Sequence, residues 1–126
     1  MIDVDLDHLG LATPDLDRAG GVFERLGFNL TPKSFHAGPI GDDGAVEPWG
    51  TGNYCAMFER GYFELIGVTD PILPHEHLTV RFERYDGLHL IALGCADGHG
   101  LARELDARVY GVATPYDFTR AVPYGD

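Results

Sequence analysis

The order of the predicted elements indicates an α+β fold made of paired βαβββ modules, the second of which is truncated. Strand-like and helix-like patterns follow one another as strand, helix, three strands, linker, strand, helix and strand. The two strand–helix starts match in pairs: Asp15 with Asp97, Ala19 with Leu101, and Phe23 with Leu105. Such a repeat is typical of pseudo-symmetric modules. We therefore divide a single domain into a first module over about 3–70, a linker over about 71–86 and a partial second module over about 87–126.

The first strand is predicted over residues 4–12, where an apolar centre is interrupted by one histidine. Side chains alternate between the two faces of a strand. His8, Gly10 and Ala12 therefore share one face, and the leucines between them share the other. The small neighbours of His8 leave room on its face for a bound molecule.

A helix follows directly after this strand. Thr13 is its predicted N-cap, apolar residues recur at helical spacing up to residue 26, and Gly27 is the predicted stop. The adjacent pair Gly20 and Gly21 lies inside the helix, where each glycine weakens it by about 1 kcal/mol relative to alanine. A close approach of another part of the chain explains such a pair.

The rest of the first module is predicted as a strand, a long loop and a hairpin. Residues 28–35 form the strand, and the Gly-, Pro- and Asp-rich residues 37–52 form the loop. Residues 53–59 and 62–68 are the strands of the hairpin, with Arg60-Gly61 at the turn.

The linker and the second module follow the hairpin. A short helix is predicted near residues 80–84 of the linker. The second module then offers a strand over 88–92, a helix over 97–108 and a last strand over 112–122.

Composition narrows the functional classes. The chain carries 20 acidic and 9 basic residues, for a net charge of −11, whereas phosphate contacts need clustered Lys and Arg. This excludes a nucleic-acid binder and a polybasic membrane patch. Because no apolar stretch approaches the length of about 20 residues that spans a bilayer, and no signal peptide is recognisable, we expect a cytoplasmic protein. Cys55 and Cys95 lie in apolar runs, which predicts buried thiols.

Several segments together resemble a known family. Residues 7–17, DHLGLATPDLD, resemble the opening of glyoxalase/bleomycin-resistance/dioxygenase proteins, the vicinal oxygen chelate superfamily. GTGN at 50–53 followed by YFELIG at 62–67 is similar to the glyoxalase-like domain subgroup. GLHLIAL at 87–93 resembles the start of that family's second module, and FTR at 118–120 resembles its FSR segment. The resemblance implies strongly curved sheets that bind a metal or a ligand in a concave cavity.

The resemblance also implies one divalent ion, Zn, Fe, Mn, Ni or Co, held by a histidine on the first strand, a glutamate on the fourth, and the equivalent pair in the second module. His8 and Glu64 fall on the first two positions, and Glu64 is also the candidate catalytic residue. The third ligand position, in the second module, corresponds to Leu90, and His89 is one residue away. The side chain of His89 therefore faces the cavity only if a bulge near Gly94 shifts the strand. The fourth ligand belongs to a strand that this sequence does not contain.

His36, Asn53 and Tyr62 are the candidates for contact with a small organic molecule. Other interpretations stay open, because Asn53 can serve the long loop before it, His36 can be a solvated loop residue, and Glu64 can accept hydrogen bonds from Arg60 or a backbone amide.

Three functional hypotheses follow. The first is a metal-dependent enzyme, lyase- or dioxygenase-like, in which His89 or a partner residue completes the site of His8 and Glu64. The second is a metal-free binding protein that sequesters a small molecule, as bleomycin-resistance relatives do. The third is a degenerate domain that only dimerises. Since a truncated module leaves an unpaired strand edge, we expect a homodimer whose partner covers that edge, with or without an exchange of strands.

Overall fold

A computed structural model describes residues 3–40 and 44–115 of the chain. These residues form five strands and three helices. The strands are β1 (Asp5–Thr13), β2 (Ser34–Pro39), β3 (Val46–Met57), β4 (Tyr62–Val68) and β5 (Gly87–Gly94), and the helices are α1 (Leu16–Arg25), α2 (Glu76–Phe82) and α3 (Gly98–Ala107). None of these helices is long and apolar enough to cross a membrane.

The five strands form one sheet in the order β2-β3-β4-β1-β5. β1 runs parallel to β4, whereas β2, β3 and β4 pair antiparallel in succession. β1, α1, β2, β3 and β4 are therefore the complete βαβββ unit that the element order predicts. β5 pairs antiparallel with the outer side of β1, so the second module begins at the edge of the first. The α+β class and the paired-module arrangement are confirmed.

The predicted β3–β4 hairpin is present, with Gly61 at a φ of 75° in its turn. The long loop expected before it is wrong for most of its length. β2 extends to Pro39, and β3 begins at Val46 rather than at Asn53. Gly50 and Gly52 serve close packing instead of turns. A Cβ on Gly52 would clash with the backbone of β2, and one on Gly50 would clash with the carbonyl of Asp70.

The second strand also differs from its predicted position. Pairing begins at Ser34, and before it only Leu30 forms an isolated bridge, to Ala56. Pro32 lacks the N–H that a continuous ladder needs, which explains the late start.

Helix α1 begins two residues later than the sequence predicts. Asp15, and not Thr13, is the N-cap, because its carboxylate accepts the Arg18 N–H at 3.0 Å. Thr13 instead accepts the backbone N–H of Asp15 at 3.2 Å. The predicted stop is confirmed, since Gly27 follows the helix with a φ of 93°. The close approach expected at the glycine pair is present at Gly20, which lies against the ring of Tyr54.

Part of the core lies between α1 and the sheet, and α2 contributes the buried Leu78. Leu16 of α1 and Leu65 of β4 are almost fully buried. Beside them, a cluster of aromatic rings packs with centroids 5.2–6.4 Å apart; its members are Phe23, Phe28, Phe58 and Phe63. Cys55 is buried as predicted, whereas Cys95 is exposed because it follows the end of β5.

The second module is represented by β5 and α3. Asp97 caps α3 by accepting the Gly100 N–H at 2.8 Å, but α3 has no buried residue. β5 leaves Ile91 63% exposed and Leu93 57% exposed. The linker helix α2 begins four residues before its predicted start. Of the strand predicted over 112–122, residues 112–115 have no regular structure, and 116–122 lie outside the described residues.

Candidate functional site

The sheet has one face covered by α1 and an opposite face, here called the site face. On the α1 side, Phe63 meets the ring of Phe23 edge-on, and Gly67 lies against Leu16. Because side chains alternate along β4, Glu64 points to the opposite face. The register places Gly10 beside Glu64. The site face therefore carries the residues that the sequence analysis selected from β1 and β4.

The centre of the site face is the pair His8 and Glu64. The Nε2 atom of His8 lies 3.9 Å from the Oε2 atom of Glu64. Both side chains are largely buried, with 17% and 14% of their surfaces exposed. β1 and β4 are adjacent and parallel, and two residues along β1 Gly10 has no side chain to separate the pair. The structure thus brings the two principal candidates together.

Glu64 is held by Asn53 of the neighbouring strand β3. The Nδ2 group of Asn53 donates a hydrogen bond to Oε1 of Glu64. Asn53 is fully buried, and its Oδ1 atom has no hydrogen-bond partner among the residues that the structure describes. A buried carboxylate needs such a donor. Asn53 supplies it, rather than Arg60 or a backbone amide, the two donors that the sequence left open. Oε1 is therefore fixed, and Oε2 is the oxygen presented to His8.

His8 has partners on two other sides. Its Nδ1 atom lies 2.7 Å from Oδ2 of Asp7, the preceding residue. Its ring stacks on Tyr62, with centroids 4.3 Å apart and an angle of 11° between the planes. Tyr62 thus contributes a flat wall beside His8, and these contacts fix the direction of Nε2. Asp7 was missed in the sequence analysis because regular alternation places it on the opposite face.

His36 lies in β2 and not in a loop. Its Nδ1 atom is 2.9 Å from the hydroxyl oxygen of Thr51. Thr51 is fully buried and stands two residues before Asn53 on β3. The histidine is therefore part of the strand structure. Thr51 is a second buried polar residue, and in the sequence it stands out only as a member of the GTGN segment.

His89 is placed apart from the central pair. Its Nε2 atom lies 2.7 Å from the carbonyl oxygen of Tyr85, and its ring stacks on the Tyr85 ring at 4.1 Å. The register between β1 and β5 jumps from Gly10↔Leu90 to Leu11↔Leu88, so His89 itself is the extra residue of a bulge. Leu90, and not His89, lies against Gly10.

The donor set fits a metal ion in part. A tetrahedral ion with bonds of about 2.1 Å places two ligands about 3.4 Å apart. The 3.9 Å between His8 and Glu64 needs only a small rotation of one side chain to reach that separation. Within residues 3–40 and 44–115, however, no group of three or more His, Cys, Asp or Glu side chains is arranged to hold one ion. The described residues supply two donors.

Three groups with displaced pKa values, Asp17, Lys33 and Tyr54, belong to the α1 side of the sheet. The Nζ group of Lys33 is 2.6 Å from Asp17. This ion pair lowers the pKa of Asp17 and raises that of Lys33, and burial raises the pKa of Tyr54, whose hydroxyl donates to Asp17 at 2.9 Å. Because Tyr54 faces α1, these groups support the packing of that helix and not the site.

Two shallow depressions border α3 and not the central pair. One, of about 250 Å³, lies at the start of the helix and is lined in part by Cys95 and Asp97. The other lies along the helix beside His99. Neither is lined by His8 or Glu64, so the candidate site residues do not lie in these depressions.

Comparison with known proteins gives this arrangement a family context. The family described as the glyoxalase-like domain matches residues 6–125. A hypothetical protein from Bacillus halodurans C-125 has a similar structure, with a TM-score of 0.58 and 16% identity over 84% of this chain and 69% of its own. No curated protein matches the chain.

Methylmalonyl-CoA epimerases are also similar in structure. A variant of the Streptomyces coelicolor enzyme, in complex with 2-nitronate-propionyl-CoA, has a TM-score of 0.59 and 20% identity, over 83% of this chain and 69% of its own. The Mycobacterium tuberculosis enzyme has a TM-score of 0.54 and 23% identity, over 82% of this chain and 63% of its own. At these identities the similarity shows the fold.

Proposed function

Because this chain belongs to the glyoxalase-like domain family of the vicinal oxygen chelate superfamily, we propose that it binds a small organic molecule on the site face, beside a divalent ion held by His8 and Glu64. The observation that carries the proposal is the approach of His8 Nε2 to Glu64 Oε2 at 3.9 Å between two adjacent strands. Both atoms belong to side chains whose other polar atoms already have partners.

Burial supports a bound cation at this pair. A largely buried carboxylate and a buried imidazole are retained when they are paired or coordinate a metal. Nitrogen and carboxylate donors suit Zn, Fe, Mn, Ni or Co. When bound, such an ion supplies a Lewis acid that polarises a substrate oxygen. Glu64 is the proposed catalytic group because its Oε2 atom faces the space beside Nε2 of His8, where the ion and the substrate are proposed to bind.

The proposed ion needs more donors than these two. A residue of the partner subunit, or His89 after a rearrangement of its bulge, is the proposed source. The ligand contacts are proposed for Tyr62, which stacks on His8, for Asn53, which donates to Glu64, and for His36, which lies further along the sheet on β2. With a net charge of −11 and a single lysine in the chain, a ligand with many phosphates is disfavoured. We therefore propose a small aromatic or 2-oxo compound as ligand.

Metal content of the purified protein tests the first part. We expect stoichiometric metal in the wild type, and at least a tenfold loss of Co²⁺ affinity, measured by calorimetry, in His8→Ala and in Glu64→Ala. His99→Ala and Glu83→Ala are matched controls, since both residues are exposed and lie outside the site. Equal Co²⁺ binding in all five proteins, or none in the wild type, contradicts the metal proposal.

A thermal-shift screen tests ligand binding separately. A compound that binds the native state raises its melting temperature. We expect hits among small aromatic and 2-oxo compounds, and we expect Tyr62→Ala to reduce the shift. Hits that persist without metal favour the second candidate function, metal-free sequestration, which the two-donor set supports. If no compound shifts the melting temperature, a degenerate dimerisation domain is the better hypothesis.

A homodimer is part of the proposal. β5 is one of the two edge strands of the described sheet and carries four partly exposed apolar side chains: Leu88, Leu90, Ile91 and Leu93. No charged residue occurs in β5, so two copies can approach there despite their high negative charge. An unpaired, uncharged and apolar edge strand is a template for another strand. A second copy of this chain is the proposed occupant, with α3 covered by the same interface.

A cytoplasmic location also stays a prediction.

Light scattering of the purified protein tests the dimer. We expect twice the chain mass for the wild type and a monomer for Ile91→Lys. Val80→Lys is the matched control, since Val80 is 58% exposed and lies on α2, not on β5. A monodisperse wild-type monomer contradicts the dimer proposal, as does a dimer that Ile91→Lys leaves intact.

A further inference from the structure

Asp7 and His8 are consecutive residues of β1, yet their side chains are in contact. The Oδ2 atom of Asp7 lies 2.7 Å from Nδ1 of His8. In a regular strand, consecutive side chains point to opposite faces. The contact therefore requires a local departure from regular geometry.

The departure is a bulge at Asp7. The register between β1 and β5 passes from Leu6↔Leu93 to His8↔Ala92, so Asp7 has no partner residue on β5. A bulge inserts one extra residue and re-aims its side chain. The backbone is packed tightly here, because Gly61 of the hairpin turn lies against the carbonyl of Asp7. The side chain of Asp7 is 52% exposed, so the bulge does not serve to bury Asp7.

The chemistry of the contact decides the form of His8. An ionised carboxylate only accepts hydrogen bonds, so the hydrogen between the two residues must be on Nδ1 of the imidazole. In the neutral ring, Nε2 then carries the lone pair. Nε2 is the atom that faces Glu64 at 3.9 Å.

We propose that Asp7 is a positioning residue that holds His8 in its Nδ1–H tautomer and presents the Nε2 lone pair to the site face. This inference rests on the proposed function, in which Nε2 of His8 is a metal donor beside Glu64. A carboxylate that accepts the second N–H of a ligating histidine orients the ring and raises its basicity. Asn53 does the same for Glu64, so each member of the pair has one atom fixed and one presented.

The tautomer of His8 is measurable directly. Two-bond ¹H–¹⁵N correlation spectra of histidine-labelled protein distinguish Nδ1–H from Nε2–H rings, and His8→Gln identifies the His8 signal among the six histidines. At neutral pH we expect Nδ1–H in the wild type and in Asp7→Glu, which keeps a carboxylate. We expect a shift toward Nε2–H in Asp7→Ala. Asp5→Ala, an exposed carboxylate on the same strand, is the matched control and keeps the wild-type signal.

A second measurement separates this inference from the proposed function. We expect Asp7→Ala to bind Co²⁺ about 10–100-fold more weakly, with recovery in Asp7→Glu. An Nε2–H ring in the wild type, or a signal that Asp7→Ala leaves unchanged, overturns the positioning role. If the tautomer switches in Asp7→Ala but no protein binds Co²⁺, the positioning role stands and the metal proposal fails. If wild type and Asp7→Ala bind Co²⁺ equally, the presentation of Nε2 to a metal is overturned.

Discussion

The adjacent glycines of α1 predict opposite responses to the same substitution. Both lie in the interior of a ten-residue helix, and only their surroundings differ. A Cβ on Gly20 would lie 3.1 and 3.2 Å from two carbons of the Tyr54 ring. A Cβ on Gly21 would meet only a guanidinium nitrogen of Arg25, at 3.5 Å, at the far end of a flexible side chain.

The magnitudes follow from two opposing effects. Alanine is a better helix former than glycine by about 0.8–1.0 kcal/mol, so Gly21→Ala is expected to stabilise the protein by about that amount. Gly20→Ala has the same gain, but overpacking a filled site costs about 1–3 kcal/mol. Tyr54 cannot move away freely, because its hydroxyl donates to Asp17 at 2.9 Å. We therefore expect Gly20→Ala to be between about 0 and 2 kcal/mol less stable than the wild type.

Urea unfolding of the two variants measures this difference. Repeating Gly20→Ala in a Tyr54→Leu background removes the ring, and there we expect the helix gain of about 1 kcal/mol to return. The reasoning is refuted if Gly20→Ala stabilises the wild type as much as Gly21→Ala does. It is also refuted if the effect of Gly20→Ala is unchanged by Tyr54→Leu, because the ring is then not the obstacle.

Three further predictions concern the cap, the buried amide and acid sensitivity. Asp15→Ala removes the N-cap of α1 and should destabilise the protein by about 1 kcal/mol in urea unfolding. Asn53→Ala removes the donor to the largely buried Glu64 and should destabilise it by about 1–3 kcal/mol in the same assay. Burial, with Arg81 nearby, lowers the pKa of His77, so the unfolded chain binds the proton more readily, and stability should fall as pH drops through about 6.5. His77→Gln should reduce that fall when unfolding is measured at pH 7.5 and pH 5.

Each of these predictions has an outcome that contradicts it. A melting curve for Asp15→Ala that matches the wild type means that Thr13 or water replaces the cap. An Asn53→Ala protein as stable as the wild type means that Glu64 finds another donor. The same acid-induced loss of stability in His77→Gln and in the wild type assigns that loss to the carboxylates.

The resemblance to a known family selected the central pair, and local sequence signals supported that selection. A histidine beside small residues in one strand and a carboxylate inside an apolar strand each stand out, because such groups need a partner or an ion when they are buried. Their mutual approach depends on β1 and β4 being adjacent and parallel. That adjacency is a long-range property, and the structure shows it.

The contacts that orient the pair were not accessible in the same way. Asn53 reaches Glu64 across the β3–β4 ladder, and the alternatives weighed from sequence, Arg60 and a backbone amide, are nearer along the chain. The two bulges of the β1–β5 pairing lie at Asp7 and His89, and the bulge at Asp7 brings Asp7 into contact with His8, which strict alternation excludes. A bulge adds one residue with no distinctive composition, so only the paired backbone reveals it.

The resemblance of the sequence to a known family selected His8 and Glu64. Local signals in the sequence determined the βαβββ order, the hairpin with its turn at Gly61 and the stop of α1 at Gly27. These features depend on periodicity, on glycine conformation and on the type of residue, which are local. Tertiary structure decided that the glycine-rich residues 46–52 form a strand, that Asp7 turns toward His8, and that His89 lies against Tyr85. These outcomes depend on close approach between segments far apart in sequence, where space and hydrogen-bond partners override local preference.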